Sequence, residues 1–316
     1  MKQIGRYLFV VALFIIMHIS SSFAQETLPL KPVQLQFKAN KREQTLYTLQ
    51  IQFSPLKKIT GKQVYEISGF PFNRLFRFLI RQTVTDIDMD GQLHLSYSLE
   101  SVSIGGSPDD SKAPIVEEVL ASIRGKSLTL IISSSGKLSD VKGLEGIKDV
   151  NLEETLKAIL TRLHPRFPLA PVPQGRKWQY DDIFDSKFNT PAGTFAMQNK
   201  VRTAYTLKGL ENKTGYDCAK IKTDMTLAQV FSTALLPIEL PFKISADIKG
   251  TGYGTIYFAP QEGKLISAVL SLVQHSDVAL LPPHQTENNN SKNEFRQAFG
   301  AELETNIRID IEPQQK

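Results

Sequence analysis

Alternation of apolar and polar residues runs through most of this chain, and no other feature constrains its fold as much. In residues 44–54, Tyr47, Leu49, Ile51 and Phe53 alternate with Thr48, Gln50 and Gln52. A period of two puts the two sets on opposite faces of a pleated strand, so the segment reads as a strand with one face buried and one wet. The same grammar recurs at residues 33–38, 64–68, 74–89 and 93–100, and again at 177–187, 194–207, 215–227, 242–258, 264–275 and 303–311. Asp90-Gly91 joins the fourth and fifth of these segments. That pair accepts the positive φ values of a type I′ turn and predicts a hairpin.

Two segments carry the helical period instead. Ile115, Val119, Leu120 and Ile123 follow Pro114, which the first turn of a helix tolerates. Asn151 and Glu154 form a capping-box pattern ahead of the stripe Leu152, Leu156, Ile159, Leu160 and Leu163. Between them, residues 125–143 (GKSLTLIISSSGKLSDVKG) read as strand, polar turn and strand. A brief helical turn is expected at 228–236, and 285–293 is a polar loop. Pro165, Pro168, Pro171 and Pro173 end the second helix and make a stiff connector. The pattern therefore predicts an α+β fold, predominantly antiparallel β, with two twisted or half-barrel-like sheets and a few packed amphipathic helices. The expected layout is a signal peptide at 1–24, a β-rich half with two helices at 25–164, a Pro-rich connector at 165–173 and a second β-rich half at 174–316.

The first 24 residues have the three parts of a secretory signal: Lys2 and Arg6, an apolar run at 7–19, and Ser22 and Ala24 before the expected cleavage. An exported protein is expected, periplasmic or extracellular, with no transmembrane segment after cleavage. The net charge is +5, and two of those charges lie in the signal. Acidic and basic residues are interspersed in the remainder, so no nucleic-acid footprint is read. Cys218 is the only cysteine, which rules out an intrachain disulfide. With no basic neighbour to lower its pKa, it reads as a small packed strand residue.

Local signals for chemistry are few. Asp86-x-Asp88-x-Asp90-Gly91 matches the first half of a calcium loop, but the twelfth position is Tyr97 and the segment is a hairpin, so the aspartates read as strand and turn residues. His94, His164, His275 and His284 lie at no metal-ligand spacing. Gly250, Gly252 and Gly254 fall within an alternating strand, where glycines mark a bend and not a phosphate cradle. Trp178 is expected to pack where the two halves meet, with a ligand groove as the other reading. Ser133 to Ser135 are turn residues without a base to activate them. No catalytic, cofactor-binding or metal residue is assigned and no cofactor is expected. Gly136-Lys137-Leu138 recurs as Gly263-Lys264-Leu265, a faint internal echo.

The layout of signal, long strands, GKSLTLIISSSGKL, the Pro-rich approach to Gly175-Arg-Lys-Trp178, GTGYGTIYF and GKL resembles an uncharacterised family of exported bacterial β-rich proteins. The resemblance supplies no catalytic residues. The expected function is a non-enzymatic cell-envelope protein binding a lipid or other apolar or amphiphilic ligand. The alternative is a structural or assembly factor that binds another envelope protein. An enzyme remains a further alternative. An outer-membrane β-barrel fits the alternation but not the Pro-rich divider or the closing Glu312 to Lys316.

Overall fold

The computed structural model describes residues 31–54, 75–105, 127–143, 164–190, 193–232, 243–281 and 297–311. These form eleven strands: β1 (Gln44–Ser54), β2 (Leu75–Ile87), β3 (Leu93–Gly105), β4 (Ser127–Ile132), β5 (Leu138–Lys142), β6 (Lys177–Thr190), β7 (Gly193–Lys213), β8 (Tyr216–Ser232), β9 (Lys243–Ala259), β10 (Lys264–Leu281) and β11 (Gln297–Ile311). All belong to one antiparallel sheet in the order β5-β4-β3-β2-β1-β11-β10-β9-β8-β7-β6.

Two expectations are thereby corrected. The described residues are all-β, not α+β, and the two halves build one sheet, not two. The sheets merge because β1 pairs with β11, from Tyr47 opposite Ile311 to Ser54 opposite Glu304. Both strands alternate with the same phase, so Leu49 meets Ile309 and Ile51 meets Ile307 on one apolar face. The helices expected at 115–123 and 151–163, the strand at 64–68 and the loop at 285–293 lie outside the described residues. Of the helical turn expected at 228–236, residues 228–232 continue β8.

The sheet is rolled. β4 and β7 are eight strand spacings apart in the ladder, roughly 38 Å if the sheet were flat. Yet the amide of Phe167 donates to the Ser135 carbonyl in the β4–β5 turn at 2.8 Å, while the amide of the preceding Arg166 lies 3.5 Å from the Tyr205 hydroxyl on β7. A tyrosine side chain and two consecutive amides span the gap. Among the described strands the result is an unclosed barrel whose edges are β5 and β6, with its apolar face inside.

Two extended segments, 31–39 and 164–176, cap one end. They pair with each other at Val33 and Val172. They also dock on turns: the Phe37 amide donates to Ser134 O at 2.7 Å and the Lys38 amide to Gly263 O at 3.0 Å. Phe37, Phe167 and Phe258 pack together beneath them, with Phe167 stacked on Phe37 at 5.5 Å and 4.5 Å from Phe258. Residues 33–38, expected as a strand, thus form a single bridge and a cap. A strand there would need a continuous ladder neighbour, and this segment instead crosses the ends of several strands.

The Asp90-Gly91 hairpin is present, but its turn is not type I′. Of the two residues only Gly91 has positive φ, the Gly91 amide donates to Asp88 O, and the Asp88 amide donates to Gln92 O. This is a three-residue loop with glycine in the left-handed position. The two-residue primed turn occurs instead at Thr214-Gly215, where both φ values are positive.

Candidate functional site

The inner face of the rolled sheet is mainly apolar, with polar groups on both of its walls. Strands β1–β4 and β11 contribute Leu49, Ile51, Phe78, Ile80, Leu95, Leu130 and Ile309, all buried and all apolar. Across from them, β6–β9 carry the inward polar residues Asp182, Thr203, Asn199 and Thr223, together with the three glycines of β9. Asn199 accepts from Gln229. The Thr223 hydroxyl is buried and has no hydrogen-bond partner among the described residues.

Near the β6 edge Arg166 reaches in from the cap. Its Nη1 donates to Asp182 Oδ1 at 2.7 Å, and its guanidinium lies 4.1 Å from the centre of the Tyr180 ring. Trp178 Nε1 donates to the Arg166 carbonyl and its ring stacks on Tyr205 at 5.4 Å. Trp178 therefore ties the cap to the inner face. The Arg166 side chain is 23% exposed and that of Asp182 48%, so this charged pair meets solvent at the unclosed side of a mainly apolar interior. Burial pushes the Tyr205 hydroxyl up to about 12.

A cavity of about 30 Å³ lies under the cap at the opposite wall, enough for one or two waters. Tyr47, Thr45, Glu43, Lys264, Tyr97 and His164 supply its polar lining. The Tyr97 hydroxyl donates to Gln82 Oε1 and lies 2.7 Å from His164 Nε2, so the imidazole proton toward Tyr97 sits on Nε2. Burial raises the pKa of both Tyr97 and Tyr47 well above the usual phenol range. For Glu43, burial pulls the pKa upward, but hydrogen bonds from Lys264 and Asn40 outweigh it and the net shift is down.

The residues singled out in the sequence are placed as follows. Asp86, Asp88 and Asp90 do not converge: Asp86 pairs with Lys41, and Asp88 Oδ1 accepts the amides of Asp90 and Gln92. Among the described residues no group of three or more His, Cys, Asp or Glu is placed to hold a metal ion. His94 lies 3.7 Å from Asp88 on the wet side, and His284 is outside the described residues. Cys218 is fully buried in β8 against Ala259 and Ile266. Burial, together with the nearby carboxylates of Glu262 and Asp217, pushes its thiol up to about 11. Sequence reasoning missed the Arg166–Asp182 pair and the Tyr97–His164 contact. One signal was available: Asp182 falls in the same alternation phase as Trp178 and Tyr180, which is the inward phase of β6.

No protein-family model matches the chain, and no curated protein matches it. Among the described residues no helix is long and apolar enough to cross a membrane.

Proposed function

We propose that this is an exported, non-enzymatic cell-envelope protein, periplasmic or extracellular, that carries a lipid or similar amphiphile inside the rolled sheet. The observation that carries the reading is the composition of the inner face: it is mainly apolar on both walls, with a few placed polar groups, among them Thr45, Tyr97, Asn199 and Thr223, and an ion pair at the unclosed side. An apolar interior with a few placed polar groups is the usual form of a small-molecule site. The outer face supports a water-facing protein. Gln50, Arg77, Arg202, Lys220, Asp224 and Arg308 point outward, the inverse of a lipid-embedded barrel. Native mass spectrometry of protein purified without detergent tests the proposal. Adducts of lipid mass are expected; a wholly ligand-free species that also fails to take up fluorescent lipid would overturn it.

One observation favours a second reading, a structural or assembly factor for another envelope protein. β6 runs for 14 residues and pairs only with β7 among the described strands, which leaves an edge on which an extended segment could add. A stable partner recovered by co-purification, and lost when Ile183 on β6 is changed to Pro, is the expected result under that reading.

A further inference from the structure

We infer that the glycine stripe of β9, with the Thr223 hydroxyl beside it, is the seat of an ester carbonyl of an acyl lipid; this rests on the carrier reading above. Gly250, Gly252 and Gly254 share the inward phase of β9 with Ile256 and Phe258. Gly252 and Gly254 are not interchangeable with alanine. A Cβ on Gly252 would sit 2.8 Å from Ser271 O, and one on Gly254 would sit 2.4 Å from Val269 O. The strand therefore carries no side chain of its own on the inner face over five residues, and side chains of the neighbouring strands cover it.

Leu270, a core residue, covers Gly254, and over Gly252 the cover is adaptable. Met225 Cε and Leu272 Cδ1 lie 3.0 and 3.2 Å from the Cβ position of Gly252, and both residues are only partly buried. A thioether side chain swings aside at low cost, so an extended chain can take its place over the glycines.

The second, independent observation is Thr223. It is 1% exposed, its hydroxyl has no partner among the described residues, and Oγ1 lies 3.1 Å from the point a Cβ on Gly254 would occupy. A buried hydroxyl without a partner is costly in the empty protein, and that cost is relieved when a ligand brings an acceptor. Its neighbours in the ladder are Tyr205 and Gly254, and Ile221 and Leu270 pack close by in the core. The acceptor therefore has to be an isolated polar group between apolar stretches, as the ester of an acyl chain is. Beyond it, polarity rises through Thr203 and Tyr180 to Arg166 and Asp182, so the chain lies over the glycines and the headgroup points toward the β6 edge.

The test compares two fluorescent probes on the intact protein: a pyrene-labelled monoacyl phospholipid, which has the ester, and pyrenyl-dodecane, which has none. Thr223→Val keeps the shape and removes the hydroxyl. It should weaken the phospholipid roughly five- to tenfold, leave the alkane unchanged and raise the melting temperature of the ligand-free protein. Thr223→Ser should keep the wild-type preference and shows that the site still folds. If Thr223→Val changes both probes equally or neither, the ester seat is wrong while the carrier reading stands. If neither probe binds the wild type, the carrier reading itself fails.

Discussion

Gly136 and Gly263 show how much a single residue decides here. Both have positive φ, and both lie where a capping segment crosses a hairpin turn. A Cβ on Gly136 would stand 2.2 Å from Pro165 O, and one on Gly263 would stand 2.3 Å from Lys38 N. Gly175 has the same left-handed φ but open space around it. Alanine at Gly175 should therefore cost only the backbone term, about 1–2 kcal/mol. Alanine at Gly136 or Gly263 should cost clearly more, because backbone must move, and thermal or denaturant melts of the three variants check the order. The repeated Gly-Lys-Leu, faint in the sequence, thus marks two cap-docking turns. Its chemistry was legible as turn grammar; its purpose was not, since the partners are more than a hundred residues away from Gly263 and about thirty from Gly136. Glu43 gives a prediction in pH. Its folded pKa lies below the ordinary 4.5, so it stabilises the protein above that value and the contribution is lost as pH falls through the folded pKa. Glu43→Gln should lower stability at neutral pH and flatten the acid limb of the stability profile, measured by melting from pH 7 to 3.

At the scale of elements, most strands were legible because each alternates within itself. β1 occupies the expected residues, and β2, β3, β9 and β10 begin within one residue of expectation. Ends were less so: β7 runs to Lys213, past the expected Leu207, because an irregularity at Leu207–Gly209 breaks the alternation without ending the pairing with β8. The segment 164–176 shows what local pattern hides. Its prolines predict extended, stiff chain, and it is extended, but Phe167 and Val172 are 1% exposed and lock the cap to the sheet. Phe167→Ala should destabilise by about 3–5 kcal/mol in denaturant unfolding. A value near zero would mean that the cap is not part of the cooperative core.

For the whole molecule, the α+β expectation with one sheet per half failed at the seam between β1 and β11. Nothing in either strand alone says that its partner lies at the other end of the chain, and alternation fixes only which face each buries. Because that seam joins both halves, unfolding should be one cooperative transition seen alike by tyrosine absorbance and far-ultraviolet circular dichroism; two separate transitions would contradict a single sheet. The site was legible only as a general apolar face, since Arg166, Asp182 and Thr223 acquire meaning from the rolling of the sheet.

That rolling also places the chain's only tryptophan, Trp178, on the inner face beside the charged pair, where it reports on the interior. The most direct test of the carrier claim is therefore Trp178 fluorescence during titration with a nitroxide-labelled fatty acid. Saturable quenching, reversed by excess unlabelled acyl lipid, is the predicted result. Quenching no greater than that of free tryptophan at the same nitroxide concentration would contradict an interior that receives an acyl chain.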